Sequence, residues 1–512
     1  MCGIAGIKEA SGDAPAMDVL LSMAGELEHR GPDGVGVLLD PGVALVNTRL
    51  SIIDVAGGDQ PLSDDSGRYW VVQNGEIYNH VELRAELESL GHRFSTRCDT
   101  EVIAHAYARW GVSCLHRFIG PFALAIWDRC ERSLLLARDR FGVRPLFLAE
   151  HGSRIVFSSE IKALLRHPAV ERALDPVGIV DTFTVWSPLP DRTAFAGVRE
   201  LRPGTYLHID ALGRTDEQRW WELQFEPRGT RPALHQEELA DELEELLIDA
   251  TTLRLRADVP VATYLSGGLD SSMITALVAL HGAQAPRCFG VRFDDVRYDE
   301  GLEQRRVASA LGVELDQITV GAADIAAALP RVVELGEAPL LRTAPAPMLL
   351  LSGKVREAGY KVVLSGEGAD EMFAGYDLFR EAQIRRYWAR DPASTMRPRL
   401  LERIYPWLNR STTAVPSFAR QFFGTALEQH GDPLFSHRVR MNATQRCLRF
   451  LAPQHVASAV EHADTTTRLL GILPSDFDKL STLAQAQQVE ILTFLQGYLL
   501  PISIRSPWVC NR

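Results

Sequence analysis

The stretch Ser266 to Ser272, with the sequence SGGLDSS, most constrains the fold of this chain. An apolar run, Val259 to Leu265, precedes it, and a helix-like run, Met273 to Leu280, follows it. This order predicts a strand, a glycine turn and a helix start. Adjacent glycines let the backbone approach an anion, and the free amides at a helix start favour phosphate. The stretch differs from a Walker loop because no Gly-Lys-Ser/Thr ends it, and by itself it also fits an ordinary serine-glycine turn.

A second loop of the same kind, Leu364 to Glu371, follows the short apolar strand Lys361 to Val363. Two such units side by side would place both loops at the carboxyl ends of a parallel sheet, where these sheets bind ligands. Each loop delivers an aspartate, Asp270 and Asp370. We expect the two to share one Mg²⁺ on a pyrophosphate group, with Glu367 placed where an activated carboxyl group is handled.

Composition excludes several classes of protein. The chain has 512 residues, and 66 acidic against 54 basic side chains give a formal charge of -12, which argues against a nucleic-acid partner bound by charge. The sequence contains no run of about 20 apolar residues, so it predicts no membrane span. Seven scattered cysteines favour reduced thiols and a cytoplasmic location.

Cys2 is the candidate nucleophile at the start of the chain. Removal of Met1 would leave Cys2 with a free α-amine of pKa about 8. That amine can act as the general base for the Cys2 thiol. The alternative is that Cys2 only opens a buried strand.

Three further sites suit a glutamine amide as the substrate. Asn74 and the backbone amide of Gly75 suit an oxyanion hole, although an Asn-Gly pair is also typical of a hairpin turn. Arg49 is a candidate partner for a substrate carboxylate, and Asp99 for a substrate ammonium group.

Several motifs in order resemble the glutamine-hydrolysing asparagine synthetase family. They are MCGI at the start, HRGPD at 29–33, RLSI at 49–52, NGEIYN at 74–79, DTE at 99–101, ARDRFGVRPL at 137–146, FSSEIKAL at 157–164 and the loops at 266–272 and 365–376. The resemblance implies a mixed α/β and α+β chain. An N-terminal-nucleophile αββα sandwich that acts as a glutaminase would be joined to a parallel-sheet α/β ATP-pyrophosphatase domain.

The resemblance also implies site residues, and these join the residues chosen above. We expect catalytic roles for Cys2, Asn74, Gly75 and Glu367. Glutamine contacts are expected at Arg49, Leu50, Ser51, Ile52, Ile53, Asn74, Gly75, Glu76 and Asp99. ATP contacts are expected at Leu265, Ser266, Gly267, Gly268, Asp270, Ser271, Ser272, Val291, Ser365 and Gly366, and Mg²⁺ ligands at Asp270 and Asp370.

The expected activity is glutamine- and ATP-dependent amidation of a carboxylate, with aspartate as the default acceptor. Two alternatives stay open: a different carboxylate acceptor, such as a cell-wall or secondary-metabolite intermediate, and a remnant that keeps only glutaminase or binding activity. The expected partners are small molecules, and the resemblance is compatible with a homodimer.

The expected domains are 2–215 for the glutaminase and 233–500 for the synthetase, with a divergent tail at 501–512. The tail lacks the Arg-x-Pro-Phe-Leu-Asp motif of the family, so we expect an incomplete synthetase domain with weakened or lost amide transfer. Between the domains an apolar stripe recurs at helical spacing and is expected to lie in the core. Its members are Leu239, Leu243, Leu246, Leu247, Ala250 and Leu253.

Overall fold

A computed structural model describes residues 1–190, 192–227, 229, 235–405, 415–461 and 464–501. The strands of the N-terminal half are β1 (Gly3–Lys8), β2 (Gly34–Asp40), β3 (Val43–Arg49), β4 (Leu62–Ser63), β5 (Tyr69–Gly75), β6 (Phe122–Asp128), β7 (Ser133–Arg138), β8 (Phe147–His151), β9 (Arg154–Ser158), β10 (Val198–Glu200), β11 (Thr205–Ile209) and β12 (Thr215–Arg219); those of the C-terminal half are β13 (Val261–Tyr264), β14 (Arg287–Phe293), β15 (Glu314–Val320) and β16 (Val362–Leu364).

The helices lie between and around these strands. They are α1 (Met17–Gly25), α2 (His80–Ser89), α3 (Asp99–Trp110), α4 (Ile161–Leu164), α5 (Pro176–Val185), α6 (Gln236–Arg254), α7 (Leu269–His281), α8 (Gly301–Leu311), α9 (Ala322–Gly336), α10 (Pro345–Glu357), α11 (Ala369–Phe373), α12 (Asp377–Ala389), α13 (Leu401–Ile404), α14 (Val415–Phe423), α15 (Arg438–Gln445), α16 (Pro453–Glu461), α17 (Thr465–Ile472) and α18 (Thr482–Glu490).

Two antiparallel sheets form the N-terminal domain, with the orders β10-β8-β9-β1-β3-β2 and β12-β11-β7-β6-β5-β4. Strands such as β3 and β6 are buried along their whole length, because one face packs on the other sheet and the second face packs on helices. Ile4, Val72 and Trp127 belong to the core between the sheets. Helices α1 and α4 cover one outer face, and α3 covers the other. The expected αββα sandwich is confirmed.

A parallel sheet with the order β15-β14-β13-β16 forms the base of the C-terminal domain. The first predicted strand–turn–helix unit is β13 followed by α7, and the second is β16 followed by α11. Strands β13 and β16 pair directly, Val261 with Val362 and Thr263 with Leu364. Since both strands run in the same direction, their carboxyl ends bring the two glycine-containing loops together, as predicted.

The predicted core position of the α6 stripe is wrong. Leu239, Leu243 and Leu246 are exposed, and Leu253 is the leucine of the stripe that is buried. The helix leans on the rest of the protein through its last turns, where Leu247 and Ala250 face a cavity described below. Helical spacing reveals an apolar stripe, but it does not identify what covers that stripe.

Two features of the structure cross the expected domain boundaries. The second sheet extends through β12 to Arg219, beyond the boundary expected at 215. Helix α5, inside the expected N-terminal domain, packs on α15, α16 and α17 of the C-terminal half. The expected tail, apart from its first residue Pro501, lies outside the described residues. Among the described residues, no helix is both long and apolar enough to cross a membrane.

Candidate active sites

Cys2 lies at the amino end of the central strand β1, at the mouth of the N-terminal sandwich. Its Sγ accepts a hydrogen bond from the Leu50 backbone N–H at 3.3 Å. The Cys2 carbonyl oxygen accepts one from Arg30 Nε at 3.0 Å. Strand β1 is paired on both sides, with β3 and β9. The thiol therefore sits on a rigid element, as a nucleophile requires.

Asn74 holds the same residue from the neighbouring sheet. In the orientation that satisfies its hydrogen bonds, its amide nitrogen donates to the Cys2 carbonyl oxygen at 2.9 Å and its oxygen accepts from Arg30 Nη2 at 3.2 Å. Gly75 follows with a φ of +153°, and a Cβ there would collide with the Pro121 carbonyl oxygen. Because only glycine fits, the backbone at the end of β5 stays open towards the thiol.

A buried ionic cluster supports this end of β1. Glu160 accepts hydrogen bonds from Arg30 Nη1 at 2.8 Å and His29 Nε2 at 3.0 Å, and it also pairs with Lys162. Burial opposes ionisation of Glu160, but the His29 hydrogen bond and the charges of Arg30 and Lys162 hold its pKa well below the usual value. The cluster fixes Arg30, which in turn fixes the Cys2 carbonyl group.

Arg49 is buried and uses its donors within the protein. Its Nη1 lies 2.7 Å from Asp59 Oδ1, and its Nη2 donates to the Asp54 carbonyl oxygen at 2.6 Å. The guanidinium shapes the loop that carries Ile52 and Ile53, which line the cavity described below.

Glu76, Asp99 and Arg144 place two carboxyl groups and one cation around the same space. Asp99 Oδ2 accepts a hydrogen bond from the Ile77 backbone N–H at 2.8 Å. Burial raises the pKa of Asp99, and burial together with the Asp99 charge raises the pKa of Glu76 to about 7, against the effect of Arg144. Among the described residues, the buried Arg144 Nε has no hydrogen-bond partner. Sequence reasoning missed Arg144, although it belongs to the ARDRFGVRPL motif.

Met1 fills part of this space. Its side chain is 8% exposed and its Sδ contacts Arg144 Nη1. Burial, together with the nearby charges of Arg30 and Arg144, lowers the pKa of the Met1 amine to about 4. Met1 therefore occupies part of the cavity next to Glu76 and Arg144.

The second centre lies at the carboxyl ends of β13 and β16. Helix α7 begins directly after Gly268, and Ser266 Oγ lies 2.8 Å from Ser271 Oγ across the turn. Gly268 N–H donates to Ser266 Oγ at 3.2 Å. These bonds hold the loop between β13 and α7 in one conformation. Leu265 is buried, and its N–H donates a hydrogen bond to the Phe289 carbonyl oxygen. The Val291 carbonyl oxygen accepts a hydrogen bond from Gln304 Nε2 at 2.8 Å.

Gly366 packs against the start of α7. A Cβ at this position would lie 2.8 Å from the Asp270 Cβ and 3.0 Å from the Ser271 nitrogen. Burial raises the pKa of Asp370, and the charge of Asp270 adds to the shift. Among the described residues, no Lys or Arg forms an ion pair with either aspartate. The pair is an uncompensated anionic site that fits a divalent cation.

Two glutamates follow in the second loop and at the start of α11: Glu367 is exposed to solvent and Glu371 is buried. Desolvation by the surrounding protein raises the pKa of the Glu367 carboxyl group and the charge of Asp370 adds to the shift, while Arg342 opposes it. Glu371 is fully buried; Tyr376 donates to its Oε1 at 2.9 Å, and its Oε2 has no partner among the described residues. Burial raises the pKa of Glu371 to about 7. The sequence analysis chose Glu367 as a site residue and did not identify the buried carboxyl group of Glu371.

One cavity of about 720 Å³ reaches from Cys2 to the loop that contains Ser365 and Glu367, whereas residues 266–272 and Asp370 do not line it. At one end it is lined by Cys2, Glu76 and Asp99, and at the other by Ser365 and Glu367. Apolar side chains, including Met348, Met372 and Leu495, also line it. Of the predicted glutamine residues, Arg49, Leu50, Ile52, Ile53 and Gly75 also line it, whereas Ser51 and Asn74 are buried outside its lining.

The fold and the two centres define a glutamine amidotransferase domain fused to an α/β synthase domain. The family model described as "Glutamine amidotransferase domain" matches residues 1–221, and the one described as "Asparagine synthase" matches residues 242–502. The chain belongs to the asparagine synthase family.

Three relatives illustrate the likeness. The protein is 33% identical over 408 residues to asparagine synthetase [glutamine-hydrolyzing] 3 of Bacillus subtilis, covering 75% of this chain and 64% of the relative. It is 34% identical over 407 residues to amidase chyE of Penicillium rubens, covering 74% and 60%. It is 36% identical over 376 residues to a putative asparagine synthetase of Mycobacterium bovis, covering 69% and 56%. The matches thus span less than two thirds of these curated relatives.

Proposed function

We propose that this protein transfers the amide nitrogen of glutamine to a carboxylate at the expense of ATP, with aspartate as the acceptor and asparagine as the product. The continuous cavity between Cys2 and Glu367 carries this proposal. Free ammonia is scarce at neutral pH, and a cavity shared by Cys2 and Glu367 would deliver it to the second centre at a high effective concentration.

In the glutaminase half-reaction, Met1 is first removed. The Cys2 α-amine then accepts the thiol proton, and the thiolate attacks the side-chain amide carbon of glutamine. The Gly75 N–H and the Asn74 amide stabilise the oxyanion. The C–N bond breaks as the α-ammonium returns the proton, ammonia leaves, and water cleaves the thioester to glutamate and free thiol. Arg144 and Asp99 are suited to the carboxylate and the ammonium group of glutamine.

In the synthetase half-reaction, an oxygen of the acceptor carboxylate attacks the α-phosphorus of ATP. The bond to pyrophosphate breaks and an acyl-adenylate forms. Ammonia attacks the acyl carbon, the C–O bond to AMP breaks, and Glu367 accepts the proton that the nitrogen loses. The free backbone amides at the start of α7, directly after Gly268, are suited to hold phosphate oxygens.

Asp270 and Asp370 are the residues that would hold Mg²⁺. When bound, the ion supplies charge neutralisation for the pyrophosphate group. The mutual repulsion of two carboxylates without a cationic side-chain partner supports this assignment.

A different carboxylate acceptor is the second candidate. The relatives named amidase, from Penicillium rubens and Gibberella zeae, resemble this chain at 34% and 32% identity, comparable to the Bacillus asparagine synthetases. The apolar side chains in the cavity lining also suit an acceptor larger than aspartate.

The test incubates the purified protein with glutamine alone, then with ATP, Mg²⁺ and a series of carboxylates. Glutamate release that Cys2→Ala abolishes supports the first centre. AMP that forms only with aspartate supports asparagine synthesis, whereas AMP that forms only with another acid supports the second candidate. Absence of both glutamate and AMP would contradict the proposal and would favour a remnant that keeps only binding activity. Mass spectrometry of the intact chain tests the removal of Met1.

We also propose a cytoplasmic homodimer, in line with the family resemblance and with the free cysteines of the described chain. Light scattering after size-exclusion chromatography tests the dimer, and a monomer mass would contradict it. Fractionation of the source cells tests the location.

A further inference from the structure

A cluster of two histidines and one aspartate lies in the N-terminal domain. His105 belongs to α3, His92 follows α2, and Asp65 lies in the turn between β4 and β5. His92 Nδ1 lies 3.1 Å from His105 Nδ1, and Asp65 Oδ1 lies 3.8 Å from the same His105 nitrogen. The cluster is absent from the residues chosen from the sequence, and the proposed function does not use it.

The surroundings of His105 orient it for ligation. The side chain is fully buried, and its Nε2 faces Glu101 Oε1 at 3.8 Å. Glu101 is anchored by Ser95 and Thr96, whose N–H groups donate to its two oxygens at 2.7 Å each. A carboxylate facing Nε2 favours the tautomer with its proton on Nε2. The lone pair of Nδ1 then points at His92 and Asp65. The 3.8 Å separation is longer than a hydrogen bond, and among the described residues the buried Nε2 has no hydrogen-bond partner, so Glu101 acts on His105 through its charge.

We infer that Asp65, His92 and His105 form a binding site for a divalent transition-metal ion of the Zn²⁺ class. Imidazole and carboxylate ligands bind Zn²⁺ at about 2.0–2.2 Å, and tetrahedral geometry then separates neighbouring ligand atoms by roughly 3.3 Å. The separations of 3.1 Å and 3.8 Å bracket that value, and all three ligand atoms lie within 4.8 Å of one another. Asp65 is exposed, so the ion has an entry path and a fourth position open to water.

Charges of both signs surround the cluster. Arg84 lies 3.8 Å from Glu101 Oε2, and Asp64 and Arg109 act on His92 with opposite sign. The competing arrangement is a plain hydrogen bond between the two Nδ1 atoms. Both arrangements fit the 3.1 Å separation, but only the metal site requires the Asp65 carboxylate.

A metal ion at this site would stabilise helix α3, which contributes Asp99 to the first centre. Helix α3 begins at Asp99, which lines the cavity beside Cys2, and His105 lies further along the same helix. A bound ion would tie α3 to the β4–β5 turn and to the segment after α2. The ion would therefore raise the thermal unfolding midpoint of the protein.

The test titrates the full-length, chelator-treated protein with Zn²⁺ in a calorimeter, and with Co²⁺ while visible absorption is recorded. We expect one tight site per chain, the d–d bands of Co²⁺ bound to nitrogen and oxygen ligands, and a higher unfolding midpoint with Zn²⁺. His92→Gln should weaken binding by more than the roughly 10- to 100-fold typical of an outer-shell loss. Asp65→Asn, at an exposed position, should weaken binding without disturbing the fold.

Two controls separate this site from other thiols and imidazoles. His151→Gln changes an exposed histidine outside the cluster and should leave the Zn²⁺ affinity unchanged. Cys2→Ala removes the nucleophilic thiol and should also leave it unchanged. Equal Zn²⁺ affinity in the native protein and in a folded Asp65→Asn/His92→Gln double variant would overturn the inference, as would loss of the site in Cys2→Ala.

Discussion

Lys361 Nζ lies 2.7 Å from Asp33 Oδ2, across the boundary between the two domains. Asp33 also accepts the Ser51 N–H at 2.8 Å, so one carboxylate joins the loop after β3 to the residue that precedes β16. Since β16 leads into the Ser365 loop, this contact connects the wall of the first centre to the second. Further bonds run alongside it, from Asp258 N–H to the Ile52 carbonyl oxygen and from Asp54 N–H to Asp258 Oδ2.

Replacing Lys361 with methionine should uncouple the two half-reactions. Both partners are partly exposed, so the change in the free energy of unfolding should stay within about 1 kcal/mol. We expect the ratio of glutamate released to AMP formed to rise, because the cavity wall between the centres loses its tether. Lys354→Met, which removes an exposed pair with Glu357, is the matched control. An unchanged ratio in Lys361→Met would argue against a role for the contact.

Replacing Cys2 with alanine should abolish glutamine hydrolysis and spare the second centre. The thiol is the proposed nucleophile, whereas the 266–272 loop lies outside the N-terminal domain. With ammonium chloride as the nitrogen source, Cys2→Ala should form AMP at the rate of the unmodified protein. The exposed Cys130 is the control, and Cys130→Ala should retain both activities. Glutamate release by Cys2→Ala would refute the assignment.

Replacing Gly366 with alanine should damage the second centre. The new methyl group would press on Asp270 and Ser271, and overpacking of this kind costs about 1–3 kcal/mol. ATP-dependent AMP formation should fall, while glutamine hydrolysis persists. Gly353→Ala is a control of opposite sign: Gly353 lies within α10 with open space around it, and alanine there should stabilise the helix by about 0.5–1 kcal/mol. Urea unfolding measures both effects.

Replacing Glu160 with glutamine should destabilise the N-terminal domain by about 3–5 kcal/mol, because Arg30 is left buried without its counter-charge. The pKa of Glu160 is depressed in the folded protein. Its contribution is therefore fully present above the unfolded pKa of about 4.3 and is lost as pH falls towards the folded value.

Urea unfolding of the native protein and of Glu160→Gln between neutral and acid pH tests this dependence. The difference between the two proteins should shrink below pH about 4. Glu86→Gln removes a pair in which both partners are exposed and should cost no more than about 1 kcal/mol at any pH. An equal cost for the two variants at neutral pH would contradict the cluster's role.

Local sequence determined the strand–turn–helix units of the second centre and the strand that presents Cys2. The runs flanking Ser266 and Ser365 carry their own hydrogen-bonding preferences, and glycine and serine specify the turn between them. Those preferences act between neighbours in the chain, so a single sequence displays them.

Tertiary structure alone decided how these pieces are used. Cys2 and Glu367 line one cavity, and Met1 contacts Arg144 at the Cys2 end of that cavity. Most leucines of the stripe on α6 are exposed. His92 and His105 meet Asp65 in the same way, through a turn that precedes both in the chain. Each of these contacts joins residues far apart in sequence. Their formation depends on which faces the sheets and helices bury against one another, and neither periodicity nor spacing along the chain records that choice.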